Sequence, residues 1–219
     1  MAKRKRQRIE AIKHFDNVTE HPDRLKGKWA SDVFHNNAPI TMELGCGRGD
    51  FTLERARTQP ERNFIGVDLK GPRLWAGATH AVAEGLHNVF FIRANILDLN
   101  HAFEPGDISE VWITFPDPYP KKPRKRMTAA RYLDVYRQIC TADAEFHLKT
   151  DDDGFYEFSL ESLRQHHCRI LQTIPDVYAQ DRVNGWVKFQ TPYEKQHLAE
   201  GKRIKYIHFS LANERPAYE

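Results

Sequence analysis

Two carboxylates, a glycine-rich turn and a proline-braced acid are the residues of this chain best suited to chemistry. Glu43-Leu44-Gly45-Cys46-Gly47-Arg48-Gly49 sets an acid directly before three glycines at alternate positions. Glycines there let the backbone turn sharply and approach a ligand, as at the first strand-to-helix turn of nucleotide-binding folds. Asp68 follows Gly49 by 19 residues and ends a second apolar run, Phe64-Ile65-Gly66-Val67. A carboxylate at that place can accept both hydrogen bonds of a ribose diol. Asn95 closes a third run, where an amide can face an adenine amino group. Further on, Phe115-Pro116-Asp117-Pro118-Tyr119-Pro120-Lys121-Lys122 holds Asp117 among three prolines, which fix the direction of its side chain.

The spacing of the glycines separates two kinds of ligand. A dinucleotide site asks for G-x-G-x-x-G over a pyrophosphate. G-x-G-x-G preceded by Glu43 is the pattern of S-adenosylmethionine enzymes, with the acid placed to meet an aminoacyl ammonium. We expect Glu43, Gly45, Gly47, Gly49, Asp68, Asn95 and Asp117 to surround that methyl donor. Amino-group methyltransferases carry Asn/Asp-Pro-Pro-Tyr where this chain has Asp117; here the aromatic comes one position early.

Composition narrows the setting. The chain has 219 residues and a net charge of only +3, so total charge says little about partners. Its bases are clustered, however: Lys3, Arg4, Lys5, Arg6 and Arg8 in one block, Lys121, Lys122, Arg124, Lys125 and Arg126 in another. Clusters of this kind steer polyanions. Three cysteines without a C-x-x-C pair supply neither a disulfide framework nor a zinc site. No apolar stretch reaches membrane-spanning length, and a reducing, cytoplasmic setting is expected. Asp151-Asp152-Asp153 precedes Gly154 at the start of a helical pattern. Acids there suit the helix dipole, and no metal is expected.

The elements that must position these residues alternate along the chain. Strand-like runs occur at Ile40–Leu44, 64–68, 89–92, 111–115, 145–149, 169–174 and 203–211. Between them, helical spacing places Phe51, Leu53 and Ala56 on one helix. A second carries Leu74, Trp75, Ala78, Ala81 and Val82 on one side. A third runs from a Thr128 cap to Cys140, and a fourth spans 154–165. Such alternation predicts an α/β, doubly wound, seven-stranded and mostly parallel sheet with ligands at the strands' carboxyl ends. Residues 1–27 lack apolar periodicity and read as a mobile basic arm; 28–219 reads as one domain.

From about Lys28 to Leu211 the chain resembles the TrmB family of tRNA (guanine-N7-)-methyltransferases. The resemblance rests on the glycine turn, Phe64 to Asp68, the Phe115 to Lys122 loop, Lys149-Thr150-Asp151 and Thr191-Pro192-Tyr193-Glu194. It implies a Rossmann-like methyltransferase fold, Asp117 as the catalytic-site acid, and a tRNA guanine at position 46 as substrate. Lys121, Asp151, Thr191, Pro192, Tyr193 and Glu194 would hold the guanosine, with Glu194 or Asp151 accepting from its N1–H and N2–H₂. Residues 123–128 would lie on RNA, and Lys122, Arg124, Lys125 and Arg126 would meet phosphates. Two positions depart from the family: Asn95 where Asp is usual, and Tyr119 where Trp is common. An amino-group nucleic-acid methyltransferase and a non-catalytic tRNA-binding partner remain as alternatives, in a monomer or homodimer.

Overall fold

The computed structural model describes residues 2–181, 183 and 185–211. Its strands are Val18–Thr19 (β1), Ile40–Leu44 (β2), Asn63–Val67 (β3), Val89–Ile92 (β4), Ile108–Thr114 (β5), Cys140–Thr150 (β6), Arg169–Ile174 (β7) and Lys205–Ser210 (β8). Its helices are Ala2–Ala11 (α1), Asp50–Thr58 (α2), Gly71–Ala83 (α3), Ala130–Ile139 (α4), Asp153–Gln165 (α5) and Pro192–Ala199 (α6). The eight strands form one sheet in the order β1-β4-β3-β2-β5-β6-β8-β7, parallel throughout except for β8, which opposes β6 and β7. From β2 the chain winds one way to β3 and β4, then crosses to β5 on the far side of β2. That reversal opens a crevice at the carboxyl end of β2.

β2 and β3 are buried at every residue, as expected of strands covered on both faces. On one face Met42, Leu44, Val67, Ile113 and Phe146 pack with Leu133 and Tyr136 of α4 and Phe155 and Leu163 of α5. On the other, Phe64 and Phe91 meet Leu53 of α2 and Leu74, Ala78 and Ala81 of α3. Each such apolar side chain contributes about 1.5–3 kcal/mol when fully buried. Phe91 also explains two glycines. A Cβ on Gly49 would come within 2.7 Å of the Phe91 ring, and one on Gly77 within 2.7 Å of the Arg48 carbonyl oxygen. Only glycine at both places lets α2 and α3 close over that ring.

The structure departs from the sequence reading at four points. An eighth strand, β1, extends the sheet through Phe91 N–H to Asn17 O (2.8 Å) and Arg93 N–H to Thr19 O (2.9 Å). Residues 2–27, expected as an arm, lie against the domain: Ile12 is 1% exposed within the α3 core, and α1 rests on α3. One buried isoleucine and two strand residues suffice, too few to register as a periodic pattern. Thr128 does not cap α4. Its hydroxyl is buried against Ser159 Oγ at 2.8 Å, and Ala129 precedes the helix without a side-chain cap. Val82, expected on the buried side of α3, is 60% exposed. Residues 212–219 of the expected domain and the side chains of Lys3, Arg4 and Lys5 lie outside the described residues.

Candidate active site

β2 ends in a turn whose Gly45 and Gly47 take left-handed backbone, φ 74° and 60°. Gly45 N–H and Cys46 N–H both donate to Val67 O, at 2.8 and 3.0 Å, which lays the turn across the end of β3. Asp68 fastens it further, accepting from Gly47 N–H (3.0 Å) and Lys70 N–H (2.7 Å) on its two oxygens. Beside the Gly47 Cα the space is open.

Two lobes of one cleft meet over this turn. The first, about 420 Å³, is lined by Glu43, Gly45, Gly47, Arg48, Arg73, Phe115, Asp117, Thr191, Pro192, Tyr193 and Gln196, among others. The second, about 210 Å³, is lined by Asp68, Leu69, Asn95, Ile96, Met127, Tyr132 and Lys125, and shares Gly45, Arg73, Phe115 and Asp117 with the first. Apolar walls with Asp68 and the Asn95 amide at one end suit a nucleoside in the second lobe. An acid in the first suits an amino-acid tail, so the residues present fit S-adenosylmethionine.

Glu43 is 4% exposed. Its Oε2 accepts from the Thr52 amide (3.1 Å) and hydroxyl, and its Oε1 from the Thr114 hydroxyl at 2.6 Å. Burial pushes the carboxyl up to about 7, against those donors. One lone pair of Oε1 remains for an ammonium. Asn95 is exposed, and its Oδ1 already accepts from Leu97 N–H at 3.2 Å. Its free donor, Nδ2, suits an adenine ring nitrogen; only the second lone pair of Oδ1 suits the amino group.

The loop after β5 is braced at its start by Phe115 N–H to Lys149 O, 2.9 Å. Phe115 and Tyr119 both adopt positive φ, 49° and 41°, a conformation that costs a non-glycine residue about 1–3 kcal/mol. Asp117, between them, is exposed and accepts from the Tyr119 hydroxyl at 3.3 Å. Lys121, Lys122, Arg124 and Lys125 are exposed, and of these Lys125 reaches the cleft. Arg126 does not belong with them. It is 9% exposed, donates to Pro118 O (2.8 Å) and Gly154 O (3.2 Å), and stacks over Phe158. It ties the loop to α5, with Nε and Nη1 spent on carbonyl oxygens.

Across the cleft, Thr191 caps α6 by accepting from Glu194 N–H at 3.2 Å. Tyr193 is half-exposed, with its ring 5.4 Å from that of Phe115 and 4.2 Å from His197. Glu194 is fully buried and lines neither lobe. Its Oε2 accepts from Lys149 Nζ at 2.6 Å and its Oε1 from the Tyr178 hydroxyl at 2.8 Å. Burial pushes the Glu194 carboxyl up and the Lys149 ammonium down, against their mutual attraction. Asp151 is likewise engaged, with Lys202 (3.0 Å) and His197 (3.2 Å), and lies outside both lobes. Neither acid lines either lobe. Gly49 is also absent from the lining and serves helix packing instead.

A family model described as a putative methyltransferase matches residues 37–207. A tRNA (guanine-N(7)-)-methyltransferase of Porphyromonas gingivalis is 42% identical over 188 residues, 85% of this chain and 77% of that protein. One of Christiangramia forsetii is 40% identical and covers 96% of this chain and 99% of its own length. The chain belongs to the tRNA (guanine-N7-)-methyltransferase family. Solved structures agree on the fold. The 16S rRNA methyltransferase KamB aligns with a TM-score of 0.62 at 14% identity, over 78% of this chain and 87% of its own. A 16S rRNA (adenine(1408)-N(1))-methyltransferase from Catenulisporales acidiphilia aligns at 0.60 and 15% identity, over 89% and 92%.

Sequence reasoning missed Arg48, Arg73, Phe115 and Gln196 in the first lobe. Arg48 and Phe115 lie inside motifs read for other residues; Arg73 and Gln196 sit on helix faces that carry no local signal. The acids at 151–153 divide their work. Asp152 caps α5 through Phe155 N–H at 2.6 Å, and Asp153 pairs with Lys205 at 2.7 Å. Elsewhere Glu145, His147 and His208 bring ligand atoms within 4.8 Å of one another. The two imidazoles are stacked, 4.6 Å apart with planes at 17°, so a cation in the plane of one ring lies off the plane of the other. Zinc-type coordination wants both lone pairs aimed at one point, and we assign no metal there.

Proposed function

We propose that this chain transfers the methyl group of S-adenosylmethionine to N7 of a guanine in tRNA, at position 46 of the variable loop, forming 7-methylguanosine. The observation that carries the reading is Asp117, an exposed carboxylate held where the two lobes of the cleft meet. The names of relatives alike over most of their length support the same substrate class. S-adenosylmethionine supplies an electrophilic methyl on a sulfonium.

Guanine N7 carries an in-plane lone pair outside the aromatic sextet, so its attack needs no prior loss of a proton. The residues have to orient and to stabilise charge. Orientation alone can supply roughly 7–11 kcal/mol. Positive charge arrives on the base as methylation proceeds, and the Asp117 carboxylate favours it where it forms. Glu43 holds the amino end of the donor and Asp68 its ribose. Phe115 and Tyr193 offer ring faces to the entering base. The exposed Lys121, Lys122, Arg124 and Lys125 meet RNA phosphates, and the reaction is placed in the cytoplasm. Among the described residues no helix is long and apolar enough to cross a membrane.

Incubation with unmodified tRNA and labelled S-adenosylmethionine, followed by nucleoside analysis, tests the proposal. We expect label in 7-methylguanosine at one tRNA position. Label in an exocyclic-amine product would favour the amino-group alternative, and no label with intact donor binding would favour a tRNA-binding partner.

A further inference from the structure

A second basic surface lies outside the loop after β5. Between α1 and α3 runs a groove of about 350 Å³ whose charged lining is Arg8, Arg48 and Arg73, with Trp75, Thr79 and His80 between them. No carboxylate lines it. All three arginines are exposed, and among the described residues none has a carboxylate within ion-pair distance. By contrast Arg55, Arg57, Arg62 and Arg93 are each paired. Unpaired guanidiniums gathered in one groove repel one another, and a polyanion relieves that repulsion by taking the place of condensed counterions.

The position of the groove matters as much as its charge. Arg48 and Arg73 line both it and the first lobe of the cleft, so the two are continuous. In the sheet, β2 stands between β3, which leads into α3, and β5, which leads into the basic loop. The groove and the loop therefore flank the cleft on opposite sides. Arg8 reaches the groove because α1 is fastened there. Ile12 just beyond it is 1% exposed, and the Arg8 guanidinium sits 4.5 Å from the centroid of the Trp75 ring.

We propose that the Arg8–Arg48–Arg73 groove binds the sugar–phosphate backbone of tRNA, gripping the strand on the side of the cleft opposite Lys121 to Lys125. The proposal rests on the reading of tRNA as substrate. It assigns residues at the N-terminus to substrate binding.

Because Arg48 and Arg73 also face the cleft, the test uses Arg8→Glu and His80→Glu, with Arg164→Glu on α5 as a control whose charge change is at least as large. Affinity of the full chain for unmodified tRNA is measured across a salt series, beside calorimetry of S-adenosylmethionine and steady-state kinetics. Each groove variant is expected to raise the tRNA Kd and KM about tenfold, and Arg8→Glu to flatten the salt slope by about 1. Donor affinity, and kcat at saturating tRNA, stay as in the wild type. His80→Glu puts a negative charge into the groove from α3, so it separates an electrostatic effect on the groove from loosening of the N-terminal helix. The proposal is overturned by wild-type tRNA affinity in His80→Glu, or by an equal loss in Arg164→Glu. Wild-type protein that binds tRNA yet yields no 7-methylguanosine would sink the proposed reaction and leave the groove standing.

Discussion

Asp117 and Glu43 show how differently two carboxylates of one cleft are kept. Asp117 is exposed, and a strained, proline-bound loop alone directs it. Its value lies in charge at the right place, so Asp117→Asn should lower kcat about 100-fold while the melting temperature stays that of the wild type. A near-normal kcat would remove the charge from the mechanism. Glu43 is instead buried, with a pKa near 7 set by desolvation. Its native value lies above the unfolded 4.5, so the stability it contributes is full below pH 4.5 and lost as pH rises through 7. An ammonium brought beside it would favour the ionised form. Donor binding at pH 6 should therefore release a proton, read by calorimetry in buffers of different ionisation enthalpy. Heats independent of buffer at pH 6 would place the ammonium elsewhere. Sequence placed both acids at strand ends, but nothing in it distinguished the open carboxylate from the closed one.

Among the elements, α6 is the clearest case of a motif with two meanings. Thr191-x-x-Glu194 has the form of a helix-start capping box, and Thr191 does accept from the Glu194 amide. The Glu194 side chain turns away from that box to Lys149 on β6 and Tyr178. It pins the helix so that Thr191, Pro192 and Tyr193 form one wall of the cleft. Glu194→Ala strands a buried ammonium and should cost about 3–5 kcal/mol in urea unfolding. Lys149→Met added to it should recover most of that loss. If the single variant is as stable as wild type, the pair does not hold α6. Arg126 gives the parallel lesson in the basic loop. Five bases in a run look alike in sequence, yet one, just past the 3-10 turn at Pro123–Lys125, points inward to two carbonyl oxygens.

At the scale of the molecule, apolar runs and glycine stops located every strand from β2 onward, β6 only from Glu145 since Cys140 falls at helical spacing with the residues before it, and with them the crevice. That pattern is plainest in β2, β3 and β4, which are buried at every residue and so nearly continuously apolar; β7 is mostly exposed and shows only Ile170, Leu171 and Ile174. β1 was not legible, since Val18–Thr19 is too short to carry a period. Its small size conceals its effect on the sheet. Without it, β4 would present open N–H and C=O groups at the margin, a template on which another chain can add a strand. Two residues and the helix before them cover part of that margin. A shortened N-terminus would thus lose more than basic charge: it would uncover a surface prone to self-association, with the strand that leads to Asn95 at its edge.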